Sequence, residues 1–363
     1  MDRRDFIRIA GAGSATLALP GAISNALANA TGNPWRVYEV TTRVEMLKPV
    51  GVTRVWVPLP LSDDTDYQKS LGNSWEASSG KAWAWHDAKY GAGAVAAEWP
   101  ADVKPVLEVK SRFATSDHAV DLSAKPGKQR LSDASRRLYT APTDLIPTGG
   151  IVRETALKIT KGANTDVEKA RAIYNWVVEN TFREPKTRGC GVGDIKFMLE
   201  SGNLSGKCAD LNALFVGLAR AAGVPARDIY GVRVADSRLG YKSLGKSGDI
   251  TKAQHCRADF WANGYGWVPV DPADVRKVVL EEPPGKLPMD EPRVKAARER
   301  LFGSWEMNWL GYNYGHDLVL PGSSRGPVGF LMYPQAETAE GRLDCLDPDN
   351  FKYTMSVREL SLA

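Results

Sequence analysis

The segment from Gly206 to Arg227 constrains the fold of this chain most, because it predicts a single helix that begins at a cysteine. Apolar residues recur along it at the spacing of one helix face. Gly223 and Pro225 follow, and a glycine and then a proline commonly end a helix. The sequence therefore predicts an amphipathic helix with Cys208 at its N-terminus. The predicted buried stripe consists of Leu211, Leu214, Phe215, Leu218 and Ala222.

The position of Cys208 predicts a reactive thiol rather than an inert buried one. The thiolate is the nucleophilic form of cysteine, and the positive end of a helix dipole stabilises it. Backbone N–H groups in the first turn can also stabilise a developing oxyanion. A nucleophile of this kind needs a base, and the base needs an orienting group.

A predicted β-hairpin supplies both groups. Residues 255–261 alternate like a strand, 262–266 form a turn cluster, and 267–271 form the return strand. A loop of two or three residues places Asp271 opposite position 256 or 257, next to His255. A carboxylate can reach an imidazole across that gap and stabilise its protonated form. The same alternation predicts that Cys256 points to the opposite face, away from this site.

Together, these segments resemble the core motifs of the transglutaminase-like superfamily, a group of papain-related folds in which Cys, His and Asp occur in that order. The resemblance covers roughly residues 164–274 and includes the run from Tyr265 to Pro272. Two flanking pieces, 188–194 and 303–309, look like an exported bacterial subgroup. The resemblance implies that Cys208 is the nucleophile, His255 the general base and Asp271 its orienting partner. It assigns no oxyanion-hole side chain and no calcium site.

The implied activity is acyl transfer or hydrolysis on a peptide or protein amide through a Cys208 thioester. Alternatives are a cysteine protease or a glycan or peptide amidase on the same triad, or a non-catalytic protein that binds peptides or the cell wall. The expected partner is a peptide or protein substrate, with cell-wall peptide among the candidates. We predict no cofactor and no metal site. The acidic cluster Asp344, Asp347 and Asp349 lacks the spacing of an EF-hand.

The order of strand and helix signals predicts an α+β fold with four parts. A signal peptide spans 1–30, a small antiparallel β-domain 31–145, the transglutaminase-like catalytic core 146–280, and a C-terminal extension packing on the core 281–363. In the core, the Cys-bearing helix packs on an antiparallel sheet. Thr165 and Glu168 form a capping box before a second helix. Residues 63–89 read as long loops that carry Trp75, Trp83 and Trp85.

The first thirty residues predict export. A charged start from Asp2 to Arg8 precedes an apolar stretch that ends in a small-residue terminus, Ala28 to Ala30. The pair Arg3 and Arg4 resembles a twin-arginine signal, so the Tat export machinery is an expected partner and the location is periplasmic or secreted. Glycines and a proline dilute the apolar stretch, so we expect no permanent membrane anchor, with a disordered or membrane-tethered N-terminus as the alternative. Lys and Arg total 47 against 43 acidic residues, with no basic run that would indicate nucleic acid.

Three weaker features leave alternatives open. The four cysteines permit a disulfide among Cys190, Cys256 and Cys345, whose pairing the sequence does not fix. His316 and Asp317 form a second possible His–Asp pair. The aromatic segment Trp305, Trp309, Tyr312 and Tyr314 is predicted to pack on the core rather than to line a groove.

Overall fold

The first part of the chain folds into antiparallel strands, as its alternating apolar residues predict. The structure, a computed structural model, describes residues 34–347 and 349–361, so the predicted signal peptide lies outside the described residues. The strands of this part are β1 (Arg36–Met46), β2 (Thr53–Pro58), β3 (Gln68–Ala77), β4 (Lys81–His86), β5 (Gly93–Trp99), β6 (Val106–Thr115) and β7 (His118–Ala119).

The prediction of long loops over residues 63–89 is wrong, because β3 and β4 lie there. Strand β4 alternates tryptophan with alanine and pairs with the alanine-rich β5, where Trp83 lies opposite Ala96 and Trp85 opposite Ala94. Small residues opposite large aromatic ones leave room for the rings on one face of the sheet. Some of the residues that favour loops lie within β3 itself, where the register shifts between Ser70 and Gly72. A β-bulge of this kind accommodates a glycine inside a strand.

Strands from the end of the chain complete the N-terminal sheets. Strand β17 pairs with β1 along its whole length, from Val37 opposite Leu360 to Met46 opposite Phe351. Strand β15 pairs with β2 in the second sheet. The region 281–363 therefore builds the β-part as well as packing on the core, and the predicted boundaries at 145 and 280 stay predictions. These later strands are β13 (Ser304–Trp305), β14 (Trp309–Asn313), β15 (Gln335–Thr338), β16 (Gly341–Arg342) and β17 (Phe351–Leu360).

The middle of the chain packs helices on a four-stranded antiparallel sheet of order β12-β11-β10-β14. The predicted capping box of Thr165 and Glu168 begins α3. The helices are α1 (Asp133–Thr140), α2 (Gly150–Ile159), α3 (Asp166–Asn180), α4 (Ile195–Ser201), α5 (Cys208–Ala221), α6 (Pro272–Glu281) and α7 (Pro292–Arg300). The strands are β8 (Phe182–Arg183), β9 (Ser205–Gly206), β10 (Ala226–Arg233), β11 (Arg257–Ala262) and β12 (Gly266–Val270).

Helix α5 is buried along its whole length rather than along one stripe. Helices α2, α3 and α6 pack on it, and β10 and β11 cover another side. Gly217 shows how close this packing is, because a Cβ built there would lie 2.1 Å from the Cδ1 of Ile195. The prediction of an amphipathic helix with one solvent-facing side is thus wrong. The small residues on that side allow other helices to pack closely against it.

The predicted fold class is confirmed: an α+β fold in which the Cys-bearing helix packs on an antiparallel sheet. Among the described residues, none of the helices combines the length and the apolar character needed to cross a membrane.

We predict that β17 is part of the hydrophobic core. Met355 on this strand is 3% exposed and packs with Tyr38, Val40 and Phe113. Met355→Ala is expected to lower the free energy of unfolding by about 2–5 kcal/mol, because it deletes buried contacts and leaves a cavity. Val319→Ala is the control, since Val319 is 65% exposed. Denaturant unfolding measures both, and equal small losses would contradict the assignment.

Candidate active site

Cys208 is the first residue of α5, as the sequence predicts. The backbone N–H of Lys207 donates to Oδ2 of Asp210 at 2.9 Å, so a carboxylate in the first turn caps the helix. The Cys208 side chain is 4% exposed and lies, together with His255, in the wall of a cleft of about 610 Å³. The sulfur is therefore shielded by protein but borders a space large enough for part of a peptide.

The loop from residue 188 to 193 is fixed to the start of this helix. Oδ1 of Asp210 accepts hydrogen bonds from the N–H groups of Val192 and Gly193, both at 2.9 Å. The N–H of Ala209 donates to the Cys190 carbonyl at 2.9 Å. That N–H is consequently occupied, so the expectation that first-turn N–H groups stabilise an oxyanion does not extend to Ala209.

The hairpin has the predicted register. Ala258 pairs with Val270 and Ala262 with Gly266, which leaves a three-residue loop and puts Asp271 opposite Arg257. His255, however, precedes the strand, which begins at Arg257. Its backbone is held instead by two bonds: its N–H donates to the Gly231 carbonyl at 2.9 Å, and its carbonyl accepts from Nε1 of Trp309 at 2.8 Å.

His255 and Asp271 form a buried hydrogen-bonded pair, with Nε2 of the imidazole 2.7 Å from Oδ2 of the carboxylate. The other oxygen of Asp271 caps α6 by accepting from the N–H of Asp274 at 3.0 Å. It also accepts from Nδ2 of Asn212 at 3.2 Å, and the same amide donates to the Cys256 carbonyl at 2.8 Å. The carboxylate is thus fixed on both oxygens, which fixes the plane of the imidazole in turn.

The pKa of the Cys208 thiol lies well below its usual range. The largest contributions are hydrogen bonds from the neighbouring thiols of Cys190 and then Cys256, and the bond and charge of His255 add to them against the effect of burial. Cys190 has a single thiol proton with two acceptors in reach, the Gln254 carbonyl at 3.2 Å and the Cys208 sulfur. Donation to a thiolate is the stronger of the two, because the acceptor is charged.

The prediction that Cys256 cannot share the site is wrong. The alternation of a strand does not apply to it, because β11 begins one residue later at Arg257. The Cys256 side chain instead packs with Cys190 and Cys208 in one buried cluster. All four cysteines are free thiols in the structure, so the disulfide left open among Cys190, Cys256 and Cys345 is not formed.

Three further buried charges surround the His–Asp pair. Oδ1 of Asp274 lies 3.4 Å from Nε2 of His255 and 2.5 Å from Nη2 of Arg233. Nε of Arg257 lies 3.7 Å from Oδ2 of Asp271. Burial and the Arg233 charge act to lower the pKa of His255, but Asp274 and Asp271 outweigh them and raise it to about 9. At neutral pH the imidazole is therefore protonated beside a thiolate.

His255, Asp271 and Asp274 also bring one ligand atom each within 4.8 Å of one another. Arg233 and Arg257 already neutralise the two carboxylates. The cluster is therefore a balanced network of buried charges and has no net negative charge to attract a metal cation. The predicted lack of a metal site stays a prediction.

The other residues that the sequence singles out, namely His316 and Asp317, the aromatic segment and the acidic cluster, all have contacts elsewhere in the fold. His316 contacts Asp228 at 3.4 Å, whereas Asp317 accepts from the N–H of Asp144. The possible pair of His316 and Asp317 is therefore not formed. Trp305, Trp309 and Tyr312 are buried, as predicted. In the acidic cluster, Asp344 pairs with Arg188 and Asp347 bonds to Asn350, so neither points into a shared cation site.

Sequence reasoning missed Asn212, Asp274, Arg233 and Cys190. Asn212 lies four residues after Cys208, which places both on one helix face, and Asp274 lies three residues after Asp271. Both spacings are visible in the sequence. Arg233 and Cys190 come from distant segments and leave no local signal.

A comparison with known families matches residues 153–272 to the transglutaminase-like superfamily. An uncharacterised protein of Haemophilus influenzae is 36% identical over 344 residues, which cover 89% of this chain and 92% of that protein. The chain belongs to the transglutaminase-like superfamily. This confirms the predicted resemblance. At the level of the family, this transglutaminase-like protein is a cysteine enzyme.

One solved structure shows the same fold over most of the chain. A protein of Cytophaga hutchinsonii that is proposed to be a cysteine protease superimposes with a TM-score of 0.56 at 14% identity, and the match covers 91% of each chain. The periplasmic domain of TgpA from Pseudomonas aeruginosa matches with a TM-score of 0.37 at 16% identity, over 80% of this chain and 99% of that domain. The first of these shows that nearly the whole chain shares the fold of the Cytophaga hutchinsonii protein.

We predict that Gly191 is required for the loop beside Cys208. Its φ is +96°, and a Cβ there would lie 1.9 Å from Oδ2 of Asp210. Gly202→Ala is the control, since Gly202 has a φ of +69° and open space around it. The control is expected to lose about 1 kcal/mol of unfolding free energy from backbone strain. Gly191→Ala is expected to lose roughly 2 kcal/mol more, because Asp210 must move. Equal losses of unfolding free energy in the two variants would show that the loop adjusts to a Cβ at this position, and would contradict the prediction.

Proposed function

We propose that this transglutaminase-like protein is a cysteine enzyme that transfers or hydrolyses an acyl group on a peptide or protein amide. Cys208 would be the nucleophile, His255 the general acid and base, and Asp271 the group that orients His255. The observation that carries the proposal is the buried 2.7 Å bond between His255 and Asp271, next to a thiol of depressed pKa at the start of α5. Perturbed ionisable groups that converge in a cleft are typical of active sites.

In the proposed first step, the Cys208 thiolate attacks the carbonyl carbon of the substrate amide. The C–S bond forms as the carbonyl electron pair moves to oxygen, and the protonated His255 then donates its proton to the leaving amine. The amide C–N bond breaks, the amine departs and a thioester remains on Cys208. Asp271 stabilises the imidazolium before this transfer and holds the ring in place after it.

In the second step, neutral His255 removes a proton from the incoming nucleophile, which attacks the thioester carbonyl. The C–S bond then breaks and the Cys208 thiolate leaves. A primary amine yields a new amide, which is transglutamination when the donor is a glutamine side chain. Water yields a carboxylic acid, which is proteolysis or deamidation according to the amide cleaved. Both routes return the thiolate and the imidazolium, so one site serves either acceptor.

The proposal predicts a pH profile for the reactivity of Cys208. Because its pKa lies well below the usual range, alkylation by iodoacetamide should reach its plateau below about pH 8.5, the ordinary value for a thiol. Cys190→Ala and His255→Ala should each move the inflection to higher pH, because each removes a hydrogen bond to the thiolate. Peptide mapping by mass spectrometry gives the rate at Cys208 itself.

Amide turnover should fall as pH rises through about 9, where His255 loses its proton.

Cys345→Ala is the matched control, because Cys345 lines the same cleft and bonds to Gln335 rather than to Cys208. Its substitution should leave the Cys208 inflection in place. Cys208→Ser should abolish turnover of a peptide amide, measured as amine adduct or hydrolysed product in the presence of a labelled primary amine. If the alkylation rates of Cys208 and Cys345 inflect at the same pH, the proposal that Cys208 is a catalytic nucleophile is refuted.

We also propose that residues 1–30 direct export of the folded chain by the twin-arginine route into the periplasm. The basis is the sequence alone: Arg3 and Arg4 before an apolar stretch and a small-residue terminus. A reporter fused after residue 35 should be exported and cleaved near Thr31. Replacing Arg3 and Arg4 by lysine should stop export, whereas Arg8→Lys should not. Export that persists without the Arg pair would reject the twin-arginine route.

A further inference from the structure

The cleft beside Cys208 has an unusual charge distribution. Eight lysine and arginine side chains line it, and among the described residues that line it there is no aspartate or glutamate. The chain as a whole carries 47 basic against 43 acidic residues, so a surface cleft would ordinarily contain both signs. The concentration of one sign at a single cleft indicates a ligand of the opposite sign.

Four of the eight cations are already paired with acidic side chains behind the cleft wall. Arg183 and Lys277 pair with Glu281. Arg188 pairs with Asp344, and Arg233 with the buried Asp274. These four cations share three carboxylates, because Arg183 and Lys277 pair with the same glutamate, so they add about one net positive charge to the wall.

The other four cations are Lys207, Lys246, Lys252 and Lys352. Within the described residues, none of them has a carboxylate within the 4.0 Å of a salt bridge. The pKa of Asp249 is lowered mainly by hydrogen bonds from Thr251, and Lys246 and Lys252 add a smaller effect. The pKa of Glu45 is lowered mainly by its bond to Arg43, and Lys352 adds a smaller effect. Neither of those carboxylates lines the cleft. The open space therefore faces four uncompensated ammonium groups.

These ammonium groups come from three separate parts of the fold. Lys207 directly precedes the nucleophile, Lys246 and Lys252 lie in the loop before His255, and Lys352 lies on β17. They line the same cleft as Cys208 and His255 but belong to elements that are distant in sequence. An extended polyanion needs a continuous track of cations, whereas this arrangement concentrates positive charge around the point of bond cleavage.

We propose that the cleft selects peptides with carboxylates close to the reacting amide, either acidic side chains or a free C-terminal carboxylate. This rests on the proposed function, because it names the substrate class of the same site. The lysines would bind the substrate carboxylates by charge-assisted hydrogen bonds and raise the local concentration of anionic peptide. Lys207, Lys252 and Lys352 are specificity-determining residues in this arrangement.

The test compares an anionic and a neutral alkylating reagent of nearly equal size, iodoacetate and iodoacetamide. The His255 imidazolium also attracts an anion, so the informative quantity is the change in the rate ratio at Cys208 when lysines are neutralised. In the triple variant Lys207→Gln, Lys252→Gln, Lys352→Gln, the iodoacetate-to-iodoacetamide ratio is expected to fall about tenfold at low salt. The difference from wild type should shrink at about 0.5 M salt, which screens these charges.

The control triple variant Lys125→Gln, Lys158→Gln, Lys161→Gln removes the same charge from exposed sites outside the cleft. Its ratio should stay within about twofold of wild type, since none of these side chains lines the cleft and exposed charges are screened by solvent and salt. Equal ratios in the two triple variants would overturn the inference while leaving the proposed enzyme intact. A Cys208 that neither reagent modifies would instead refute the proposed function.

A second arm uses peptidyl chloromethyl ketones that differ only in carrying Glu, Gln or Lys at the two positions before the reactive carbon. Inactivation should be fastest with Glu and slowest with Lys, and the advantage of Glu over Gln should disappear in the cleft triple variant alone. Tetraglutamate should protect Cys208 better than an oligothymidylate of equal charge. Better protection by the oligonucleotide, or equal rates for Glu and Gln, would overturn the assignment to acidic peptides.

Discussion

The structure depends on a balance of buried charges around His255. Arg233, Arg257 and the protonated imidazole supply three positive charges, while Asp271, Asp274 and the Cys208 thiolate supply three negative ones. Burying an unpaired charge is strongly destabilising, so each of these residues constrains the others. When His255 gives its proton to the leaving amine and Cys208 becomes a thioester, one charge of each sign disappears and the total stays the same. The cluster can therefore pass through the protonation states of an acyl transfer without an uncompensated charge.

The scaffold around this cluster explains why its geometry is precise. Asp271 lies at the start of α6, and His255 is held by a backbone bond to β10 and by Trp309. Asn212 of α5 bonds to Asp271 and to the backbone carbonyl of Cys256, next to His255. The Cys208 side of the site is fixed by Asp210, which joins the loop of residues 188–193 to α5. Sites on regular elements with supporting hydrogen bonds hold reacting groups more closely than loops do.

Much of this arrangement was predictable because it is local in sequence. The start of α5 at Cys208 and the register that brings Asp271 beside His255 follow from patterns within about twenty residues. What could not be predicted comes from contacts between distant segments: the thiol of Cys190, the guanidinium of Arg233 and the C-terminal strands that complete the N-terminal sheets. The position of Cys256 was mispredicted because alternation was extended two residues before the strand begins. The cationic cleft left no sequence signal, since its lysines are scattered over almost 150 positions.

The pairing of β17 with β1 has a consequence for the order in which the chain becomes competent. Phe351, Lys352 and Tyr353 on β17 form part of the cleft wall beside Cys208, and these residues leave the ribosome after every other part of the site. The thiol-bearing helix and the hairpin are complete long before that wall exists. A growing chain therefore carries the reactive cysteine without the surface that selects its substrate. Selectivity begins only when synthesis has reached the last strand and the first strand has received its partner.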